Sequence, residues 1–143
     1  MLSRSAHLLL PRRILQAMVE HAQAELPNEC CGVLAGKCDG QLLRVEAWHA
    51  LVNALASPTK YLSDGPSMFK ADRAMRDAGH AILAVYHSHP TSEPIPSRTD
   101  LDWEYFSDVI HFIIGMSGPE PLVRGWWLMK TTFEEATWEI VEV

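Results

Sequence analysis

AILAVYHSHP, residues 81–90, decides how the rest of the chain is read. It opens as a continuous apolar run with no polar alternation. Such a run reads as a central strand covered on both faces. Pro90 has no N–H to give a ladder and should end it. A central strand with both faces covered, set among helical and extended patterns, makes the fold class α/β: a single mixed β-sheet with flanking helices.

Working outward, Asp64-Gly65-Pro66 opens a helix that Gly79 closes, with Met68, Ala71, Met75 and Ala78 as its inner stripe. Residues 53 to 65 read as a long loop. Before it, Asp39-Gly40 marks the tip of a hairpin whose strands cover about Cys30–Lys37 and Gln41–Trp48, with Leu43, Val45 and Ala47 on one face. A first helix spans Pro11–Glu25: Ile14, Leu15, Met18, Val19 and Ala22 recur at helical spacing, and "LPNE" breaks it. Beyond Pro90 a loop leads to Ser97, which begins a third helix of about ten residues. Strands near Val109–Gly115, Leu122–Met129 and Thr132–Val141 complete the chain. No repeat or linker interrupts the 143 residues, so one domain covering 1–143 is expected.

The net charge is −6, and the densest basic cluster is Pro11-Arg12-Arg13. Phosphate binding needs clustered Lys and Arg, so nucleic acid is not an expected partner. No apolar run approaches a membrane span, and "HLLLP" is too short for a signal-peptide core. Cys30, Cys31 and Cys38 are odd in number and form no C-x-x-C, which fits a reducing compartment. The expected location is cytoplasmic; composition leaves the oligomeric state open.

Residues two apart in a strand project to one side, so His87 and His89 should share the parity of Leu83 and Val85. Two imidazoles at a strand end can grip a metal, and a catalytic zinc takes three protein ligands plus an open position. Asp100 is a natural third ligand, with Asp102 as its competitor. Yet Ser97-Arg98-Thr99-Asp100 also matches a capping box, in which Asp100 only caps a helix. Metal chemistry further needs a base beside the reacting water. Glu29, in "PNECCGVLAG", is one candidate; on composition Glu25 and Glu93 are its equals.

Together these residues resemble the signature of the JAMM/MPN+ zinc metalloprotease family. That signature is a glutamate upstream, then H-x-H-P, a serine, and an aspartate with ten residues between it and the second histidine. Here it reads Glu29, His87-Ser88-His89-Pro90, Ser97 and Asp100, which selects Asp100 over Asp102. "PNECCGVLAGK" is similar to the family's glutamate segment, and the element order is similar across almost the whole chain.

The resemblance implies a JAMM/MPN-like, cytidine-deaminase-like core. It implies that His87, His89 and Asp100 bind Zn2+ with water as fourth ligand. Glu29 would be the catalytic acid/base, and Ser97 a catalytic hydrogen-bond donor to the oxyanion. The implied reaction is hydrolysis after the C-terminal Gly-Gly of a ubiquitin-like protein. The chain's length resembles the compact prokaryotic type, whose substrates include sulfur-carrier proteins. Alternatives are a catalytically silent MPN-type scaffold or a RadC-like protein; the intact ligand set argues against the first, the acidic pI and "NECCG" against the second.

His7, His21, His49, His80 and His111 are expected to be structural or solvent-facing. Cys30 and Cys31 are expected to be small buried hydrophobes, and Trp126, Trp127 and Trp138 to pack the sheet. Trp103 and Tyr105, following Asp100, are candidates for a substrate groove or for helix packing.

Overall fold

The run at 81–90 does become the middle of the sheet. A computed structural model describes residues 3–102 and 108–142. In chain order the elements are β1 (His7–Pro11), α1 (Arg12–Glu25), β2 (Cys31–Asp39), β3 (Leu42–Leu51), α2 (Gly65–Ala78), β4 (Ala81–His89), α3 (Arg98–Asp102), β5 (Ile110–Gly115), β6 (Leu122–Leu128), β7 (Phe133–Glu135) and β8 (Thr137–Val141). The eight strands form one mixed sheet in the order β7-β6-β5-β4-β2-β3-β1-β8. β4 lies between antiparallel β2 and parallel β5.

Both faces of β4 are covered, as its unbroken apolar run requires. On one face, Ile14, Met18 and Ala22 of α1 pack with Leu34, Tyr86 and Phe112. On the other, Ala71 and Met75 of α2 pack with Val33, Ala35 and Val85. Asp64 caps α2 by accepting from the Ser67 N–H at 2.7 Å. Gly79 ends it at φ 69°, a left-handed conformation that glycine takes without steric cost.

The expected strand over Thr132–Val141 divides. Phe133–Glu135 pairs with β6 at one end of the sheet, and Thr137–Val141 pairs with β1 at the other. Only Ala136 separates them, and its N–H still bonds the Gly125 carbonyl of β6. The two ends of the strand order therefore meet in one chain segment, so the sheet rolls until its edges adjoin. A rolled sheet leaves less free edge than an open one.

One strand was not expected and three expectations need correction. "HLLLP" forms β1, wedged parallel between β3 and β8; five residues are too few to show a period. Leu83 does not share the parity of Val85, because the β2–β4 register skips it; it packs on the α1 face. A similar irregularity skips Glu46, so Leu43 and Val45 share their face with Trp48, not Ala47. Ala78 is exposed, because the covered face of α2 ends at Met75.

Candidate metal centre

β4 delivers two histidines to the α2 face of the sheet at its C-terminal end. Beyond the bulge at Leu83 the parity is regular, so His87 and His89 project the same way as Val85. Pro90 ends the strand, and the chain returns through 91–97 into α3, whose first turn carries Asp100. One ligand atom from each of His87, His89 and Asp100 lies within 4.8 Å of the others. His87 Nε2 is 3.0 Å from Asp100 Oδ1, His89 Nε2 is 3.0 Å from Asp100 Oδ2, and the two Nε2 atoms are 3.2 Å apart. All three residues are buried. No other group of His, Cys, Asp and Glu among the described residues converges in this way.

Asp100 caps its helix and still faces the histidines. Its Oδ2 accepts the Ser97 N–H at 2.9 Å, while its own N–H donates to Ser97 Oγ at 3.0 Å. This is a reciprocal capping box, and it leaves Oδ1 facing His87 while Oδ2 also reaches His89. The cap fixes the carboxylate in place for the cluster. Asp102, the competitor, is exposed and outside it.

His89 is oriented by backbone. Its Nδ1–H donates to the Glu93 carbonyl at 2.8 Å, which turns Nε2 inward. The segment that carries this carbonyl lies against β5. A Cβ on Gly115 would collide with Pro94, so glycine is what permits the approach. Trp126 Nε1 then donates to the Pro94 carbonyl at 2.9 Å, and Met116 N–H to the His89 carbonyl at 3.0 Å. The ring of His87 stacks on Tyr61 with centroids 4.7 Å apart, and its Nδ1 is buried without a hydrogen-bond partner.

Glu29 reaches the same place from the other side of the sheet register. Cys31 pairs with His87, so two residues back along antiparallel β2 lies opposite His89. Ser88, between the two histidines, holds this approach: its N–H donates to the Cys30 carbonyl at 3.2 Å and its Oγ accepts the Cys30 N–H at 2.8 Å. Glu29 is 4 % exposed, and its Oε1 has no hydrogen-bond partner.

The electrostatics follow from burial and proximity. Burial pushes the Glu29 carboxyl up to about 8; a charged His89 pulls it down and Asp100 pushes it further up. Burial opposes charge on Asp100 too, but His87, His89 and the Ser97 N–H hold it well below the usual carboxylate range. Burial alone would lower His89; its bond to Asp100 leads the influences that raise it on balance. In this cluster a cation is stabilised and an unpaired anion is not.

These residues fit a metal ion. Two imidazole Nε2 atoms and a carboxylate oxygen converge, one imidazole is turned inward by a carbonyl on its other nitrogen, and an unpartnered carboxyl oxygen is buried beside them. The other histidines stay outside. His7 pairs with Glu139 at 2.8 Å, His21 Nδ1 lies 2.7 Å from the Tyr86 hydroxyl, and His111 is buried in β5. Cys30 and Cys31 are buried, and burial pushes both thiols up to about 12, far from thiolate chemistry. Trp126 and Trp127 are buried and Trp138 packs against the core. Trp103 and Tyr105 lie outside the described residues.

Sequence reasoning passed over Ser88, Tyr61, Asn53 and the Glu93 carbonyl. Ser88 occupies the variable place in H-x-H, and a carbonyl carries no side-chain signal. Tyr61 and Asn53 sit in a loop whose approach to the site no local spacing encodes.

Residues 11–129 match the family described as prokaryotic homologs of the JAB domain. A CysO-cysteine peptidase of Mycobacterium tuberculosis is 37 % identical over 112 residues, 78 % of this chain and 75 % of that protein. A desampylase of Haloferax volcanii is 35 % identical over 106 residues, 73 % of this chain and 75 % of that one. The solution structure of a protein from Desulfitobacterium hafniense superposes with a TM-score of 0.87 at 29 % identity, covering 95 % of this chain and 94 % of that one.

Proposed function

The chain belongs to the prokaryotic homologs of the JAB domain, and on that footing we propose that it is a zinc-dependent peptidase or isopeptidase that hydrolyses the bond after the C-terminal Gly-Gly of a ubiquitin-like or sulfur-carrier protein. The observation that carries the reading is the convergence of two imidazoles and a carboxylate beside a buried, unpartnered carboxyl group. The relatives' names, a CysO-cysteine peptidase and a desampylase, support hydrolysis of this kind.

In this reading His87, His89 and Asp100 hold the zinc. Zinc, when bound, polarises the scissile carbonyl and makes water acidic enough to react near neutral pH. Glu29 takes the proton from the attacking water and returns it to the leaving amine. Its burial suits proton transfer. Burial raises the carboxyl from its ordinary range to about 8, near neutrality, where a group can both accept and release a proton. Ser97 Oγ accepts from the Asp100 N–H, so the hydroxyl keeps its own proton to donate to the oxyanion. Tyr61, stacked on His87 and packed against the cluster that holds Val85, covers part of the ligand side.

Protein purified without chelator should carry about one zinc per chain, and zinc-loaded protein should release whatever is joined beyond Gly-Gly in a carrier fusion. Failure to take up zinc on reconstitution, or inertness toward a panel of ubiquitin-like and sulfur-carrier fusions, would overturn the reading.

A further inference from the structure

We propose that Asn53 is a positioning residue for Glu29, holding the backbone of the candidate base at the edge of the metal centre; the inference rests on the reading of Glu29 given above. Asn53 follows β3 and is 8 % exposed. Its single amide makes four hydrogen bonds. Nδ2 donates to the Glu29 carbonyl at 3.1 Å and to the Lys60 carbonyl at 3.0 Å. Oδ1 accepts the N–H groups of Leu55 and Leu62, each at 3.1 Å. Two donors and two acceptor sites are all an asparagine amide has, so none remains free.

The bonds fall at telling places. Lys60 and Leu62 flank Tyr61, the residue stacked on His87. Glu29 lies just outside β2, so no ladder holds its peptide groups. The loop holds them instead. The Ser57 carbonyl accepts the Glu29 N–H at 2.8 Å, and Asn53 binds the Glu29 carbonyl. Ala56, next to Ser57, adopts φ 45°, a left-handed conformation that a non-glycine residue keeps only where its surroundings impose it. One buried amide thus ties together the peptide of the base, both sides of the Tyr61 ring support and the strained turn between them. Tyr61 apart, the proposed metal ligands are held by other elements: β4, α3 and the Glu93 carbonyl. Loss of the Asn53 amide therefore displaces Glu29, which it bonds directly, more than the ligands, of which it touches His87 through the Tyr61 stack.

The test uses Asn53→Asp, which keeps the acceptor for Leu55 and Leu62 but sets a carboxylate against two carbonyls. Asn53→Ala removes the whole amide without adding charge. Zinc affinity is measured by chelator competition, turnover on a cleavable Gly-Gly carrier fusion at saturating zinc. The expected result is zinc affinity within about threefold of the parent, KM little changed, and kcat lowered roughly 10- to 100-fold. In a Glu29→Gln background the same substitution should lower the residual turnover by less than about twofold, because two residues acting through one group are not additive. Unchanged kcat in a folded, zinc-loaded variant overturns the proposal. So does an equal fold-loss in the Glu29→Gln background, and so does failure of both variants to fold. If the parent cleaves no carrier, or Glu29→Gln turns over like the parent, the reading of the site fails instead, and the two failures are distinguishable.

Discussion

The two sides of the candidate metal centre are held by different means. On the ligand side, regular elements do the holding: β4 sets the spacing of His87 and His89, and the first turn of α3 sets Asp100 through its reciprocal cap with Ser97. Every ligand also touches another ligand within 3.2 Å. On the base side, Glu29 stands outside its strand, has an unpartnered carboxyl oxygen, and depends on Asn53 and Ser57 in the loop after β3. The ligand side is over-determined and the base side is suspended. That division suits the chemistry proposed for them, since ligands must stay put and a proton-transfer group must exchange partners.

The strongest blow to the comparison is Asp100→Asn. It removes the carboxylate on which both histidines converge, and the bound zinc should fall from about one per chain to near none, with turnover lost alongside. Elemental analysis after dialysis reads this directly; a variant that keeps its zinc would show that the ligand side is not built around Asp100. Next is Glu29→Gln, which should keep the zinc but lower kcat by about 10²–10⁴. If zinc and turnover fell together, the two sides would not be separable.

Ser97→Ala tests a residue that serves both sides. Loss of one oxyanion donor should reduce kcat by roughly 10²-fold. Loss of the cap should destabilise the fold by about 1 kcal/mol, seen as a lower denaturation midpoint. A drop in stability with unchanged kcat would confine Ser97 to capping.

The metal-free protein offers a finer measurement. A carboxyl raised from an ordinary 4.5 to about 8 binds its proton more tightly when folded. The stability this contributes is complete below about 4.5 and is lost as pH rises through about 8. Glu29→Gln removes that dependence. Its thermal midpoint should match the parent's near the acid end of this window and exceed it above the upper end; parallel curves would mean that Glu29 is solvated. The smallest effect on the site itself belongs to Ser88→Ala. It deprives the buried Cys30 N–H of its acceptor, at a cost of about 1–3 kcal/mol, while the ligands keep their zinc.

The legibility of the molecule follows the same division. His87, His89, Ser97 and Asp100 lie within fourteen consecutive residues, and strand parity and a helix cap relate them by local rules. Those rules suggested candidate ligands and left open whether Asp100 capped or coordinated and whether Asp102 took its place; the resemblance selected Asp100. The structure shows the carboxylate doing the first while facing the histidines, because Oδ1 lies on His87 and Oδ2 lies on both the Ser97 N–H and His89. Glu29 could be chosen among its rivals only through the resemblance. Asn53 and Tyr61 were invisible, because what they do depends on a loop crossing from β3 to the far side of β2. Pattern reading also failed at β1, too short for a period, and at Thr132–Val141, where one extended segment serves both edges of the sheet.

By itself the sequence determined the central strand, the two main helices, the hairpin and the order of the ligand motif. Each depends on the nearest few residues: side-chain alternation, helical spacing, turn and cap preferences. Only the tertiary structure decided that the sheet rolls until its edges adjoin, that two register skips move Leu83 and Ala47 across it, and that a buried amide at position 53 holds the peptide of a glutamate at position 29. Those outcomes depend on which distant groups must satisfy one another once water is excluded, and no local pattern records that.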